Sequence, residues 1–153
     1  MPLGKFLDEM RKTFFLHAVF SHFSNGLIPV AVLYLLLALP TGDPFFEHTV
    51  IHLIVITLLA IPVSFVSGFR DWKKKYNGAK APVFTKKIRL SIVLFVLAAG
   101  VVSIRLANPA VMGSQGILHW AYVIMLLMML PVVVLLGHYG GKLSAGQRQE
   151  KFR

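Results

Sequence analysis

The chain has no cysteine. Disulfides, thiolate-held metals, iron–sulfur clusters and covalently attached c-type haem are therefore excluded. Charge is scarce as well: 14% of the 153 residues are charged, 56% are hydrophobic, and only six are acidic. There is no nucleophile placed beside a base, no pair of carboxylates and no glycine-rich phosphate loop, so catalysis of the ordinary hydrolytic or group-transfer kind has no apparatus here. Long runs without charge fill almost the whole length and leave no stretch for a catalytic domain in water.

Those runs define the class. A bilayer crossing needs about 20 apolar residues, and four such spans are expected, at about residues 13–39, 46–69, 88–107 and 117–137. The composition and spacing predict an all-α integral membrane protein, a four-transmembrane-helix bundle forming a single domain over 1–153. Met1 to Lys12 (MPLGKFLDEMRK) is short, amphipathic and mixed in charge, with no small-residue cleavage site after the run that follows it; it reads as a retained interfacial segment. Pro40 to Pro44 (PTGDP) is a turn signal, and Asn108 to Gly116 (NPAVMGSQG) is a loop without charge. Pro29, Pro62 and Pro131 lie inside spans, and Pro29 predicts a kink near Asn25–Gly26.

The net charge of +10 would suggest nucleic acid in a soluble protein. Here the basic residues gather at the ends of apolar runs: three precede the first span, eight lie between Arg70 and Arg89, and four are in the tail. Fifteen of the sixteen thus fall on one face, which the positive-inside rule places in the cytoplasm together with both termini. No nucleic-acid partner is expected. The expected partners are the lipid bilayer, of a bacterial inner (cytoplasmic) membrane, and, for a chain with so little outside it, partner subunits, expected to be redox subunits on the grounds of the histidines within the apolar runs. Lys73 to Lys75 serve topology and anionic-lipid attraction. Arg105, the sixteenth basic residue, is expected to snorkel to the outer interface, and Glu47 to be solvated at a loop end.

What the sequence does hold in its apolar runs is histidine. With the expected topology, His17, His22 and His138 lie towards the cytoplasmic face, and His48, His52 and His119 towards the outer one. His119 and His138 are 19 residues apart, about 28 Å along a helix. Ionisable groups within spans are costly and mark functional sites, and imidazole is the commonest metal ligand. Three histidines near each face suit a transmembrane b-type cytochrome, in which imidazoles from two helices hold a haem. The expected cofactor is one or two haem b. His52 pairs with His119 for an outer haem, with His48 as alternative, and His138 pairs with His17 or His22 for an inner one. Gly26, Gly100 and Gly137 are candidate points of porphyrin approach, and Phe and Met side chains its walls. The Met125, Met128 and Met129 cluster reads as lipid-facing or packing surface.

Other readings remain open. His48 and His52, four residues apart on one helical face, together with His119 form a candidate three-histidine copper or zinc site, although the spans have no cysteine and no organised methionine pair for an ion path. A structural subunit without cofactor, and a pigment-binding subunit, are the remaining alternatives. Ala98, Ala99 and Gly100 form a small-residue face for packing.

The stretch HAVFSHFSNGL (His17 to Leu27) resembles the His-Pro-x-x-x-His-Phe-Pro-x-Gly-Leu start of a bacterial family of four-helix membrane proteins, domain-of-unknown-function family 2231. His17, His22, Phe23, Gly26 and Leu27 match, whereas Ala18 and Ser24 stand where that pattern has prolines. Gly68-Phe69-Arg70-Asp71-Trp72 is similar to the family's Gly-x-x-Asp-aromatic exit from the second span, and Gly140-Gly141-Lys142-Leu143 to its Gly-Gly-x-Leu ending. The resemblance implies a four-helix membrane fold and no particular activity. In architecture the layout is also similar to the membrane cytochrome b subunits of respiratory oxidoreductases, which implies electron exchange with quinone; fold alone does not carry function.

Overall fold

The computed structural model describes residues 16–75, 77–78 and 81–151. The expected interfacial segment Met1 to Lys12 lies outside them. Four α-helices account for nearly all the described residues, with no strand among these: α1 (Leu16–Thr41), α2 (Pro44–Lys75), α3 (Pro82–Ala107) and α4 (Ile117–Lys151). Each contains a stretch long and apolar enough to cross a membrane. The helices run past the expected spans at the basic end, where α2 continues to Lys75 and α3 begins at Pro82. The apolar count marks only the hydrocarbon portion of a helix, and lysine and arginine are themselves good helix formers.

The helices are linked in series around a square. α1 packs on α2 and α4, and α3 packs on α2 and α4, with the α1–α2 and α3–α4 interfaces the largest. α1 and α2 are joined by only Gly42 and Asp43. Gly42 takes φ +64° and its N–H donates to the Ala38 carbonyl at 2.9 Å, which ends α1 in the left-handed cap that glycine permits. Asp43 Oδ1 then accepts the Phe45 N–H at 2.9 Å, and Pro44 occupies the first turn of α2, where a missing N–H costs nothing. At the far end of α2, Asn77 and Gly78 both have positive φ and the Gly78 N–H returns to the Trp72 carbonyl. α1 is continuous through Pro29, α2 through Pro62 and α4 through Pro131.

Each helix turns inward a stripe spaced alternately three and four residues apart, the seam that packs neighbouring helices at a shallow angle. On α2 the middle of the stripe is Val50, Ile54, Thr57 and Ile61; on α1 it is Ile28, Ala31 and Leu35; on α3 Leu94, Ala98 and Val101; on α4 Leu126, Met129 and Val133. All are buried, most of them completely. Gly100 lets α4 come close to α3, because the Met125 side chain occupies the place a β-carbon would take. Gly100 is therefore a packing contact and not a point of porphyrin approach. Large apolar side chains cover the outside, among them Leu33, Leu59, Val66, Val96 and Val134. That is the pattern of a bundle whose outer solvent is hydrocarbon, where apolar exposure costs nothing.

Candidate functional site

Followed to the ends of the bundle, the four stripes become polar, in two different ways. At the end formed by the α1–α2 and α3–α4 connections, Glu47 heads the stripe of α2 and Arg105 closes that of α3. The Arg105 guanidinium donates from Nε and Nη2 to the two carboxylate oxygens of Glu47, with the Nη2 bond at 2.9 Å. The Tyr122 hydroxyl on α4 donates to Glu47 Oε1 from 3.5 Å. Glu47 is buried and the Arg105 side chain nearly so. Both expectations for these residues are overturned: Glu47 is not solvated and Arg105 does not snorkel. The reason is register, since both fall on inward stripe positions, and a charge held there needs a partner at close range. The same end is sealed by the 108–116 loop, whose Val111 is fully buried and whose Val111 carbonyl accepts a hydrogen bond from His119 Nδ1 at 3.1 Å.

At the basic end the stripes enclose a cavity of about 460 Å³ lined by all four helices. Its polar groups include His17 and Ser21 on α1, Ser64 and Asp71 on α2, and Lys87 and Ser91 on α3. Phe65, Phe69, Trp72, Phe84 and Leu136 supply apolar wall. α4 contributes Gly137, Gly140 and Gly141, where the absence of side chains leaves the space open.

His17 is the best defined group there. Its Nδ1 lies 2.8 Å from the Ser64 carbonyl oxygen. A carbonyl can only accept, so Nδ1 carries the proton and, in the neutral ring, Nε2 carries the lone pair. Ser21 Oγ bonds Ser64 Oγ at 2.9 Å and stands 3.5 Å from His17 Nε2. The ring can lie this close to α2 only because residue 68 is glycine: an added β-carbon would sit 2.7 Å from His17 Cε1.

The other histidines sort as follows. His22 lines the cavity rim and is itself exposed. His138 is exposed and stacks edge-on against Tyr139; its neighbours Gly137 and Gly140 line the cavity and it does not. His48 and His52 are exposed, and His52 lies on the side of α2 opposite its buried stripe. His119 is buried, 6% exposed. His52 therefore does not share the bundle interior with His119. Among the described residues no three His, Asp or Glu side chains come together as a metal-binding group, so the trio His48, His52 and His119 is not assembled. Met129 is fully buried and Met128 exposed, as packing and lipid-facing residues respectively. A β-carbon at Gly26 would meet nothing within 4 Å, so no other part of the described structure packs against it there, and Gly137 is at the cavity.

Sequence reading by histidine alone passes over Ser21, Ser64, Lys87 and Ser91. The signal that finds them is the alternating three–four spacing, extended from the apolar core into the polar part of each helix: Ile61, Ser64, Gly68, Asp71 on α2 and Lys87, Ser91, Leu94 on α3 are unbroken continuations of it.

The three sequence motifs set apart above meet in this cavity. His17 and His22 come from the first, Gly68, Asp71 and Trp72 from the second, and Gly140, Gly141 and Leu143 from the third. No curated protein and no solved structure matches the chain. The family profile described as predicted membrane protein, domain-of-unknown-function family 2231, matches residues 14–149. With that match running from the His17 motif through the glycine pair on α4, the chain belongs to the family of predicted membrane proteins defined by that domain.

Proposed function

We propose that the protein is a haem b-binding electron-transfer protein or the membrane-anchor subunit of a redox complex, with haem in the basic-end cavity and His17 as an axial ligand. The observation that carries this reading is the Nδ1 bond of His17 to the Ser64 carbonyl. Metal-ligating histidines are held in this manner, the second nitrogen fixed by a carbonyl so that tautomer and ring direction are set before the metal arrives. The cavity volume lies within the range of about 300–1,000 Å³ that small-molecule and cofactor sites occupy. Its aromatic walls and glycine-faced α4 suit a flat apolar ring, and His22 is a second candidate ligand on the same rim. A bound haem b would supply one-electron transfer. The chain's own residues hold the ring, orient His17 and keep the far end of the bundle closed to water. Electrons would pass between the quinone pool and a partner subunit, in a bacterial cytoplasmic membrane with the basic end facing inward.

The test is a reduced-minus-oxidised absorbance spectrum of the detergent-purified protein, with haem and metals quantified on the same sample. A b-type signal near one haem per chain, lost in His17→Ala and kept in His52→Ala, is expected. A second equivalent lost in both His52→Ala and His119→Ala would place another haem at the opposite end. A colourless protein, purified with its partners and with haem supplied during expression, sinks the reading.

A further inference from the structure

The geometry points to a ligand with an apolar body and an anionic group, a carboxylate or a phosphate, seated so that the Lys87 ammonium holds that group inside the cavity. Lys87 and Arg105 are the two cations on the inward stripe of α3, one towards each end. Arg105 is matched by a carboxylate from α2 in bidentate contact. Lys87 lies in the cavity wall, and no described residue gives it a hydrogen bond or an ion pair. Asp71 lines the same cavity and still does not pair with it. The ammonium reaches across to α4, where Nζ lies 3.9 Å from the place a β-carbon would take on Gly140. That is ordinary contact distance, so the ammonium spans the cavity from α3 to the glycine face of α4.

A cation turned inward within a span is costly unless something neutralises it. The lysines beside it on α3 and at the end of α2 follow the usual rule: Lys73, Lys74 and Lys86 are exposed. The cavity also holds the Ser91 and Ser64 hydroxyls, and Phe65, Phe69, Phe84, Ile88, Leu94 and Leu136 give it an apolar wall. An anionic head with an apolar body fits that distribution; a free inorganic anion would leave the apolar walls bare. Two sources carry this chemistry: the propionates of haem, in which case the inference rests on the function proposed above, and the phosphate of an anionic phospholipid, in which case it does not.

The experiment uses the full chain purified in detergent, as wild type, Lys87→Gln, Lys87→Arg and the exposed control Lys74→Gln. Each is titrated with haem and with haem dimethyl ester, which has the same ring without carboxylates. Each is also loaded with phosphatidylglycerol or phosphatidylcholine and read for retained lipid by native mass spectrometry. Lys87→Gln should weaken haem binding about tenfold or more, leave the ester unchanged and match wild type bound to the ester. Lys87→Arg and Lys74→Gln should stay near wild type. If wild type binds no haem but retains phosphatidylglycerol over phosphatidylcholine, and Lys87→Gln loses that preference, the inference stands on the lipid and the haem reading falls. Equal effects of Lys87→Gln on haem and ester, or no charge-dependent loss in either arm, overturn it. Folding is read separately: with an uncompensated ammonium removed, Lys87→Gln without ligand should melt at or above the wild-type temperature, and a lower melt is evidence against an unpartnered Lys87.

Discussion

The two ends of this bundle are built from the same helical stripes and do opposite things with their polar residues. At the end opposite the basic one, Glu47, Arg105 and Tyr122 satisfy one another across three helices, and the 108–116 loop packs over them. At the basic end, His17, Ser64, Lys87 and Asp71 surround about 460 Å³ that the described residues do not fill. Polar residues that neutralise each other close a bundle; polar residues arranged around glycines keep it open. The first arrangement holds helices together, and the second leaves open space between them.

Mutations at the two ends should therefore separate stability from binding. The largest effect is expected from Arg105→Ala, which leaves the Glu47 carboxylate buried without its partner and should cost about 3–5 kcal/mol. The double variant Glu47→Gln/Arg105→Met should recover much of that loss, and thermal melts in one detergent compare the two. Equal melting of single and double variants would mean that the pair is not closed as described. His119→Ala removes the hydrogen bond to the Val111 carbonyl and leaves a cavity, at about 2–3 kcal/mol; the absorbance of any bound cofactor should be unaffected. If that absorbance vanishes while the fold survives, the functional end has been placed wrongly.

Gly68→Ala is expected to reverse this pattern. Its β-carbon must push the His17 ring away, an overpacking cost of about 1–3 kcal/mol, and ligand binding should fall by more than stability does. Imidazole signals in NMR spectra should move for His17 and not for His119. The smallest effect is expected for His52→Ala, on the outer side of α2, within about 0.5 kcal/mol of wild type in the melt. A large loss there would reveal a partner on that face, such as a second subunit.

The fold was legible in the sequence because hydrocarbon imposes one strong rule: backbone groups must be satisfied within the segment, so apolar runs of sufficient length become helices. The turn at Gly42–Asp43–Pro44 was legible for local reasons, each residue being suited to the cap it forms. The site was legible only in part. His17 stood out because it is a titratable residue in an apolar run, but its near neighbour His22 stood out equally and faces the rim. Counting histidines by depth does not give their direction around the helix. Depth put His52 beside His119; direction sends His52 outward. Arg105 and Glu47 misled for the same reason. A residue near a span end is expected to reach for water, and what decides otherwise is the partner on another helix, which only the assembled register brings near. Lys87 was counted with seven other basic residues as topology, although its spacing to Ser91 and Leu94 set it on the inward stripe.

The two-residue connection between α1 and α2 bears on how the molecule comes to be made. A link that short lets the first two helices enter the membrane as one hairpin, and the extensive α3–α4 contact makes the last two a second. Neither hairpin contains the cavity, whose walls come from both, and neither contains the Glu47–Arg105 pair, which joins α2 to α3. The walls of the cavity are complete only when the hairpins meet, so a site for any ligand forms at the last step of assembly. A molecule seated there would touch both halves, so its binding would add a link between them beside the Glu47–Arg105 pair.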